Sequence, residues 1–102
     1  MRRRVCLSGF VFVLLATTVV PAASAAQPKC RGQVATKVGT PGDDILVGTA
    51  RNDVIVGLGG RDEIIGNKGN DLICGGGGDD VWLNGAFGKD RVFGQGGADK
   101  II

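Results

Sequence analysis

Short apolar segments alternate with glycine- and aspartate-rich bends over residues 39–102, and the alternation has a fixed period. Aspartates recur nine residues apart, with one spacing of ten, at Asp44, Asp53, Asp62, Asp71, Asp80, Asp90 and Asp99. Each aspartate precedes two or three mostly apolar residues, a length that fits one short strand and is too short for a helix. The period therefore predicts a bend and a strand in every repeat.

This period predicts an all-β fold, a parallel β-roll, which is a β-helix or solenoid of nonapeptide repeats. Glycines at the first, second and fourth positions let the backbone adopt positive φ and turn sharply. Two repeats complete one turn of about 18 residues, and stacked turns form two parallel sheets that face each other. We number seven repeats over residues 39–47, 48–56, 57–65, 66–74, 75–83, 85–93 and 94–102, with Asn84 as one inserted residue.

Only the eighth position of each repeat points inward in such a roll. The predicted core is a single file of Leu46, Ile55, Ile64, Ile73, Trp82, Val92 and Ile101. The ninth position points outward, where apolar residues indicate either a partner surface or strand propensity: Val47, Val56, Ile65, Leu83, Phe93 and Ile102. A core this thin leaves the glycine-rich bends in need of another source of stability.

The first quarter of the chain has a different pattern, which predicts a secretory signal peptide over residues 1–26. Residues 1–4 include three arginines, residues 5–20 are almost wholly apolar, and residues 21–26 are small. A transmembrane anchor is the alternative, but the apolar run is shorter than the ~20 residues that span a bilayer. We therefore expect a secreted, extracellular protein without a membrane span, cleaved after Ala25 or Ala26.

Cleavage of this leader would change the net charge of the protein and the number of its cysteines. Nine basic and ten acidic residues remain, a net charge of −1, which gives no electrostatic footprint for nucleic acid. Cys30 and Cys74 also remain. In an oxidising environment they are expected to form a disulfide, with two free thiols as the alternative.

The repeat follows the consensus G-G-x-G-x-D-x-U-x, where U is a large apolar residue. On these residues the chain resembles the hemolysin-type calcium-binding repeat family, whose members carry RTX nonapeptides. The resemblance covers residues 39–102, a β-roll of seven repeats, and implies Ca²⁺ as the bound ion. Residues 27–38 then resemble the lead-in strand or cap of such arrays.

The resemblance implies five calcium sites, each between a loop and the loop two repeats later. The earlier loop gives the carbonyls of positions 2 and 4 and its aspartate; the later loop gives the carbonyls of positions 1 and 3 and its aspartate. Repeats 1, 3, 5 and 7 form the first edge, which has three sites. The ligands of the first site are Thr40, Gly42, Asp44, Gly57, Gly59 and Asp62; those of the second are Leu58, Gly60, Asp62, Gly75, Gly77 and Asp80; those of the third are Gly76, Gly78, Asp80, Gly94, Gly96 and Asp99. Repeats 2, 4 and 6 form the second edge, which has two sites. The ligands of the first are Thr49, Arg51, Asp53, Gly66, Lys68 and Asp71; those of the second are Asn67, Gly69, Asp71, Gly85, Phe87 and Asp90.

The two edges are not equivalent, because the second carries positive charge. Arg51 occupies a glycine position, which risks a backbone penalty, and Arg51, Lys68 and Lys89 all lie on the second edge. We therefore expect the stronger sites on the first edge. At about 1 mM Ca²⁺ and a Kd of ~0.1 mM, each site contributes about 1.4 kcal/mol. Folding is therefore expected to depend on calcium.

Composition argues against catalysis. The chain has no histidine and no tyrosine, and both serines, Ser8 and Ser24, lie in the leader. Serine triads and histidine bases are thus excluded, and we predict a secreted, non-catalytic calcium-binding protein. The alternatives are a structural or adhesive cell-surface module, or the calcium-binding remnant of a larger secreted hydrolase. The array stops in mid-strand, so we also expect self-association through its C-terminal edge.

Overall fold

A computed structural model describes residues 26–102, so the predicted leader lies outside the described residues except for Ala26. The described part contains strands and no helix, hence no helix that could cross a bilayer. In chain order the strands are β1 (Lys29–Cys30), β2 (Gln33–Val34), β3 (Lys37–Val38), β4 (Ile45–Val47), β5 (Val54–Val56), β6 (Glu63–Ile65), β7 (Leu72–Cys74), β8 (Trp82–Asn84) and β9 (Arg91–Phe93).

Seven of these strands form two parallel sheets. One sheet has the order β3-β5-β7-β9 and the other the order β4-β6-β8. The chain alternates between the sheets, so each strand pairs with the strand two elements later, as Leu46 does with Ile64. The result is a solenoid of about three turns. The predicted all-β fold, a parallel β-roll of nonapeptide repeats, is confirmed.

The interior between the two sheets is a narrow file of apolar side chains. Ile55, Ile64, Ile73 and Leu83 are fully buried, with Leu46 and Val92 packed against them. Ile101 bridges to Leu83 but keeps 51% of its surface exposed. The eighth position thus supplies the core in most repeats, as the periodicity predicts.

The fifth repeat does not follow the predicted register, and the prediction of Trp82 as a core residue is wrong. Glu63 pairs with Trp82 and Ile64 with Leu83, so Leu83 is buried while Trp82 is 36% exposed. The extra residue is Val81, before strand β8, and not Asn84, which ends that strand. Val81 and Trp82 together oppose Glu63 as a β-bulge. A shift of one residue moves each side chain to the opposite face.

The segment before the array, for which a lead-in strand or cap is expected, is a hairpin followed by a strand. β1 and β2 pair antiparallel, and the two residues between them, Arg31 and Gly32, have φ values of 50° and 87°. Positive φ at both central residues is typical of tight two-residue hairpin loops. Strand β3 then joins the four-stranded sheet, with Lys37 paired to Ile55.

The hairpin covers the outer face of the four-stranded sheet. There a second buried cluster forms from Cys30, Val56, Leu72 and Cys74. The predicted disulfide is present, with the Cα atoms of its two cysteines 5.7 Å apart. Val56, predicted to point outward, does so but is only 5% exposed because the hairpin covers it. On the three-stranded sheet the outward Val47 remains exposed.

Candidate metal centre

We call the six residues that precede each strand of the array a loop. Loops 1 to 7 are residues 39–44, 48–53, 57–62, 66–71, 75–80, 85–90 and 94–99. The space between two successive loops on one edge is a gap, named by its loops, so that gap 3/5 separates loops 3 and 5.

Loops 3 to 7 share one backbone conformation, which loops 1 and 2 do not adopt. Positive φ occurs at the second position, in Leu58, Asn67, Gly76, Ala86 and Gln95, and at the fourth, in Gly60, Gly69, Gly78, Gly88 and Gly97. In loops 1 and 2 these positions have no positive φ. The strain expected at Arg51 therefore does not arise, because loop 2 turns in another way.

The aspartates form two columns, one along each edge. In the first five repeats the aspartate amide donates to Oδ1 of the aspartate two repeats later. The distance is 3.0 Å from Asp44 to Asp62 and 2.9 Å from Asp62 to Asp80. The second edge repeats the arrangement from Asp53 to Asp71 at 2.8 Å. These bonds fix each carboxylate in one orientation, with its second oxygen, Oδ2, directed into the loop.

Three of these second oxygens are buried without a hydrogen-bond partner. They belong to Asp62, Asp71 and Asp80, whose residues are 0%, 2% and 1% exposed. A buried carboxylate oxygen without a donor is costly, and native proteins rarely leave one in this state. Each of the three is thus an unsatisfied acceptor at the centre of a loop.

Each unpartnered oxygen lies beside a carbonyl oxygen of the next loop on its edge. A Cβ added to Gly75 would contact both Asp80 Oδ2 and the Gly94 carbonyl oxygen, and one added to Gly66 would contact Asp71 Oδ2 and the Gly85 carbonyl oxygen. Gly57 stands in the same relation to Asp62 and Gly75. Two electron-rich oxygens that face the same small space repel each other unless a cation lies between them.

Further carbonyl oxygens point along the stack toward the same gaps. A Cβ on Gly76 would overlap the Leu58 carbonyl oxygen, and one on Gly78 would overlap that of Gly60. On the second edge the Gly69 carbonyl oxygen lies against Gly88. Predicted ligands from positions 2, 4 and 6 of one loop and position 1 of the next therefore meet in gap 3/5.

These gaps are built mainly from backbone oxygens. Within residues 26–102 no three Asp, Glu, Cys or His side chains converge on one point, so each gap has two carboxylates at most. A cation there would depend on carbonyls for most of its ligands. Hard oxygen donors in flexible loops are the ligand set that Ca²⁺ prefers, whereas Mg²⁺ requires a stricter octahedron.

The pKa values of the buried aspartates show the same lack of counter-charge. Desolvation by burial raises the pKa of Asp80 to about 6; the hydrogen bond from the Asp62 amide opposes the rise, and the charges of Asp62 and Asp99 add to it. Burial likewise raises the pKa of Asp62 and of Asp71. A divalent cation beside these carboxylates would act in the opposite direction, because it stabilises the ionised form.

In loops 1 and 2 a threonine satisfies the aspartate instead. Asp44 Oδ2 accepts from the Thr40 amide at 2.7 Å and from the Thr40 hydroxyl at 3.1 Å. Asp53 Oδ2 accepts from the amide and hydroxyl of Thr49 at the same distances. Of the predicted ligands, the Gly42 carbonyl faces Gly60 in gap 1/3 and the Arg51 carbonyl faces Gly69 in gap 2/4, but the aspartate Oδ2 in each gap is already bonded. The sequence predicts only carbonyl ligands from these threonines. The one signal of a different role is that threonine holds the second position in loops 1 and 2 alone.

Gap 4/6 has one unpartnered carboxylate oxygen, like gap 3/5, but one of its predicted carbonyl ligands is already hydrogen-bonded. Asp71 Oδ2 is unpartnered, but the Asn67 carbonyl, a predicted ligand, accepts from the Phe87 amide at 2.9 Å. The Asn67 side chain donates to the Gly48 carbonyl at 2.9 Å, which places an amide group between loops 2 and 4. The second edge therefore offers fewer free acceptors than the first.

The fold and these gaps define the class of the protein: a parallel β-roll whose stacked loops present carboxylate and carbonyl oxygens to a cation. The RTX calcium-binding nonapeptide repeat matches the chain over residues 38–73, 47–81 and 82–102. The chain belongs to this family, and its repeats and solenoid fit a calcium-binding repeat protein. No curated protein and no solved structure matches it.

Proposed function

We propose that the protein is a secreted, non-catalytic calcium-binding protein that binds Ca²⁺ between stacked loops and folds on binding. The observation that supports this most directly is the set of three buried carboxylate oxygens without a partner, in Asp62, Asp71 and Asp80. Membership in a family of calcium-binding repeats supports the choice of ion. The apolar N-terminal pattern supports secretion.

Gap 3/5 illustrates how the loops would hold the ion. Leu58 and Gly60 supply carbonyl oxygens, Asp62 supplies its unpartnered Oδ2, and Gly75 supplies a carbonyl beside it. When bound, Ca²⁺ supplies two positive charges that replace the missing hydrogen-bond donor. Glycine at the first position of each loop keeps this space open, since a Cβ there would contact both Asp Oδ2 and the neighbouring carbonyl.

Coupling of folding to binding follows from the small interior. Four side chains are fully buried between the sheets, whereas three carboxylates are buried without counter-charge. At about 1 mM Ca²⁺ and a Kd of ~0.1 mM, each occupied site stabilises the folded state by about 1.4 kcal/mol. A few such sites match a substantial part of a small domain's stability of ~5–15 kcal/mol.

Calorimetric titration of the purified secreted protein with Ca²⁺ tests this function. Asp62→Ala is expected to weaken calcium binding at least ~10-fold, because Asp62 belongs to gaps 1/3 and 3/5 and its Oδ2 has no other partner. Asp53→Ala is the matched control on the second edge, where Thr49 already satisfies the carboxylate. It should have a smaller effect.

One result would contradict the proposed function, and another would contradict the expected order of the two edges. Absence of binding heat with the wild-type protein at millimolar Ca²⁺ would remove the function itself. A larger loss of affinity in Asp53→Ala than in Asp62→Ala would instead leave calcium binding intact and reverse the expected order of the two edges.

A further inference from the structure

Loops 1 and 2 satisfy both oxygens of their aspartates and loops 3 to 5 do not, and this difference divides the array. In loops 1 and 2, Oδ2 of Asp44 and of Asp53 accepts two hydrogen bonds from the threonine at the second position. In loops 3, 4 and 5 the second position is Leu58, Asn67 or Gly76, and the corresponding Oδ2 has no partner.

Two donors on one carboxylate oxygen occupy the space that a cation would need. The Thr40 amide donates to Asp44 Oδ2, and the Thr40 hydroxyl is shared between Oδ1 at 3.0 Å and Oδ2 at 3.1 Å. A cation entering gap 1/3 would have to displace both donors. The hydroxyl has a second role, because Thr40 Oγ1 accepts from the Gly42 amide at 3.2 Å and Thr49 Oγ1 from the Arg51 amide at 3.0 Å. Each threonine thus holds the whole loop in its present conformation.

The backbone of these loops also removes a ligand. Positive φ at the second position accompanies a Leu58 carbonyl directed at Gly76 in the next loop of the edge. Thr40 does not have positive φ. In gap 1/3 the carbonyls that face the next loop are those of Pro41, whose oxygen would lie 3.0 Å from a Cβ on Gly59, and of Gly42, which a Cβ on Gly60 would overlap. The carbonyl of the second position is the one that is lost.

We propose that Thr40 and Thr49 close gaps 1/3 and 2/4 to cations, so that the protein binds three calcium ions, in gaps 3/5, 4/6 and 5/7. This inference rests on the proposed function and specifies its stoichiometry. In each of the first two loops the hydroxyl and amide of one threonine take the place of an ion. Calcium is then required only in the later turns.

Equilibrium dialysis against Ca²⁺, with the bound metal counted by atomic emission, tests the number of ions. The wild-type protein is expected to bind three ions, one for each unpartnered oxygen. Thr40→Gly removes the hydroxyl and allows positive φ at the second position, so it should bind four. Thr40→Ser keeps the hydroxyl and should still bind three.

Gln95→Gly is the matched control for the glycine substitution. Gln95 holds the second position of loop 7 and already has a φ of 68°, and it is not among the predicted ligands of gap 5/7. It should leave the count at three. Circular dichroism of every variant in calcium shows whether the roll is formed, so a misfolded Thr40→Gly protein is replaced by Thr49→Gly, which is expected to open gap 2/4 in the same way.

Five ions bound to the wild-type protein would overturn the inference while leaving calcium binding in place. A count that stays at three in folded Thr40→Gly and Thr49→Gly would overturn the role of the threonines. No bound calcium in any variant would instead refute the proposed function on which the inference rests.

Discussion

Replacing both Cys30 and Cys74 with alanine is expected to lower the free energy of unfolding by about 4 kcal/mol in saturating calcium. The bridge joins residues 44 positions apart, and a cross-link over a loop of that length reduces the entropy of the unfolded chain by about this amount. It also holds the hairpin on the outer face of the four-stranded sheet, where both cysteines are buried. Urea unfolding followed by circular dichroism measures the change.

Reductant provides the control for this double variant. Dithiothreitol should destabilise the wild-type protein to a similar extent and leave the alanine variant unchanged. If the variant unfolds within about 1 kcal/mol of the oxidised wild type, the hairpin is held by packing alone, and the assigned role of the disulfide is wrong.

Replacing Leu83 with alanine is expected to cost about 2–5 kcal/mol of unfolding free energy, the usual range for a leucine removed from a packed core. Leu83 is fully buried against Ile64 and Ile73. Trp82→Ala is the matched control one residue away. Its side chain is 36% exposed, and Lys100 Nζ lies 5.1 Å from the ring centroid, so we expect a loss below about 1 kcal/mol.

The same urea unfolding series, at constant calcium, compares these two variants. A greater loss from Trp82→Ala than from Leu83→Ala would place the tryptophan in the interior and restore the register without a bulge. The comparison therefore tests the position of the extra residue, which the spacing of the aspartates leaves undetermined.

Much of the fold could be predicted from the period alone. A nine-residue interval that ends in an apolar residue leaves room for one bend and one strand, and only stacked half-turns bury such strands. Ile55, Ile64 and Ile73 lie in the interior as that argument requires. The prediction is strong because each of the seven repeats predicts the same bend followed by the same strand.

The fifth repeat and the N-terminal segment could not be predicted in this way. Between Asp80 and Gly85 the sequence offers Val81, Trp82 and Leu83 as consecutive apolar residues, so hydrophobicity does not identify which one faces inward. Pairing with the neighbouring strand decides in favour of Leu83. The hairpin before the array has no repeat to define its register.

The sequence predicts which aspartates line the candidate site, but it does not predict which groups hydrogen-bond to each of them. Spacing places the aspartates in two columns, since loops two repeats apart must stack. It does not reveal that Asp44 is satisfied by its own threonine while Asp62 is left without a donor. That distinction depends on the loop backbone: Leu58 adopts positive φ although it is not glycine, a conformation set by the stack rather than by its own preference.

Circular dichroism of the purified, disulfide-bonded protein in calcium, in magnesium and in EGTA tests the central claim, that a divalent cation between the loops holds the roll together. We expect a β-sheet spectrum at millimolar Ca²⁺, a largely disordered spectrum in EGTA, and little recovery with Mg²⁺, because the carbonyl-rich gaps do not suit its octahedral demand. The same β-sheet spectrum in EGTA as in calcium would contradict the account.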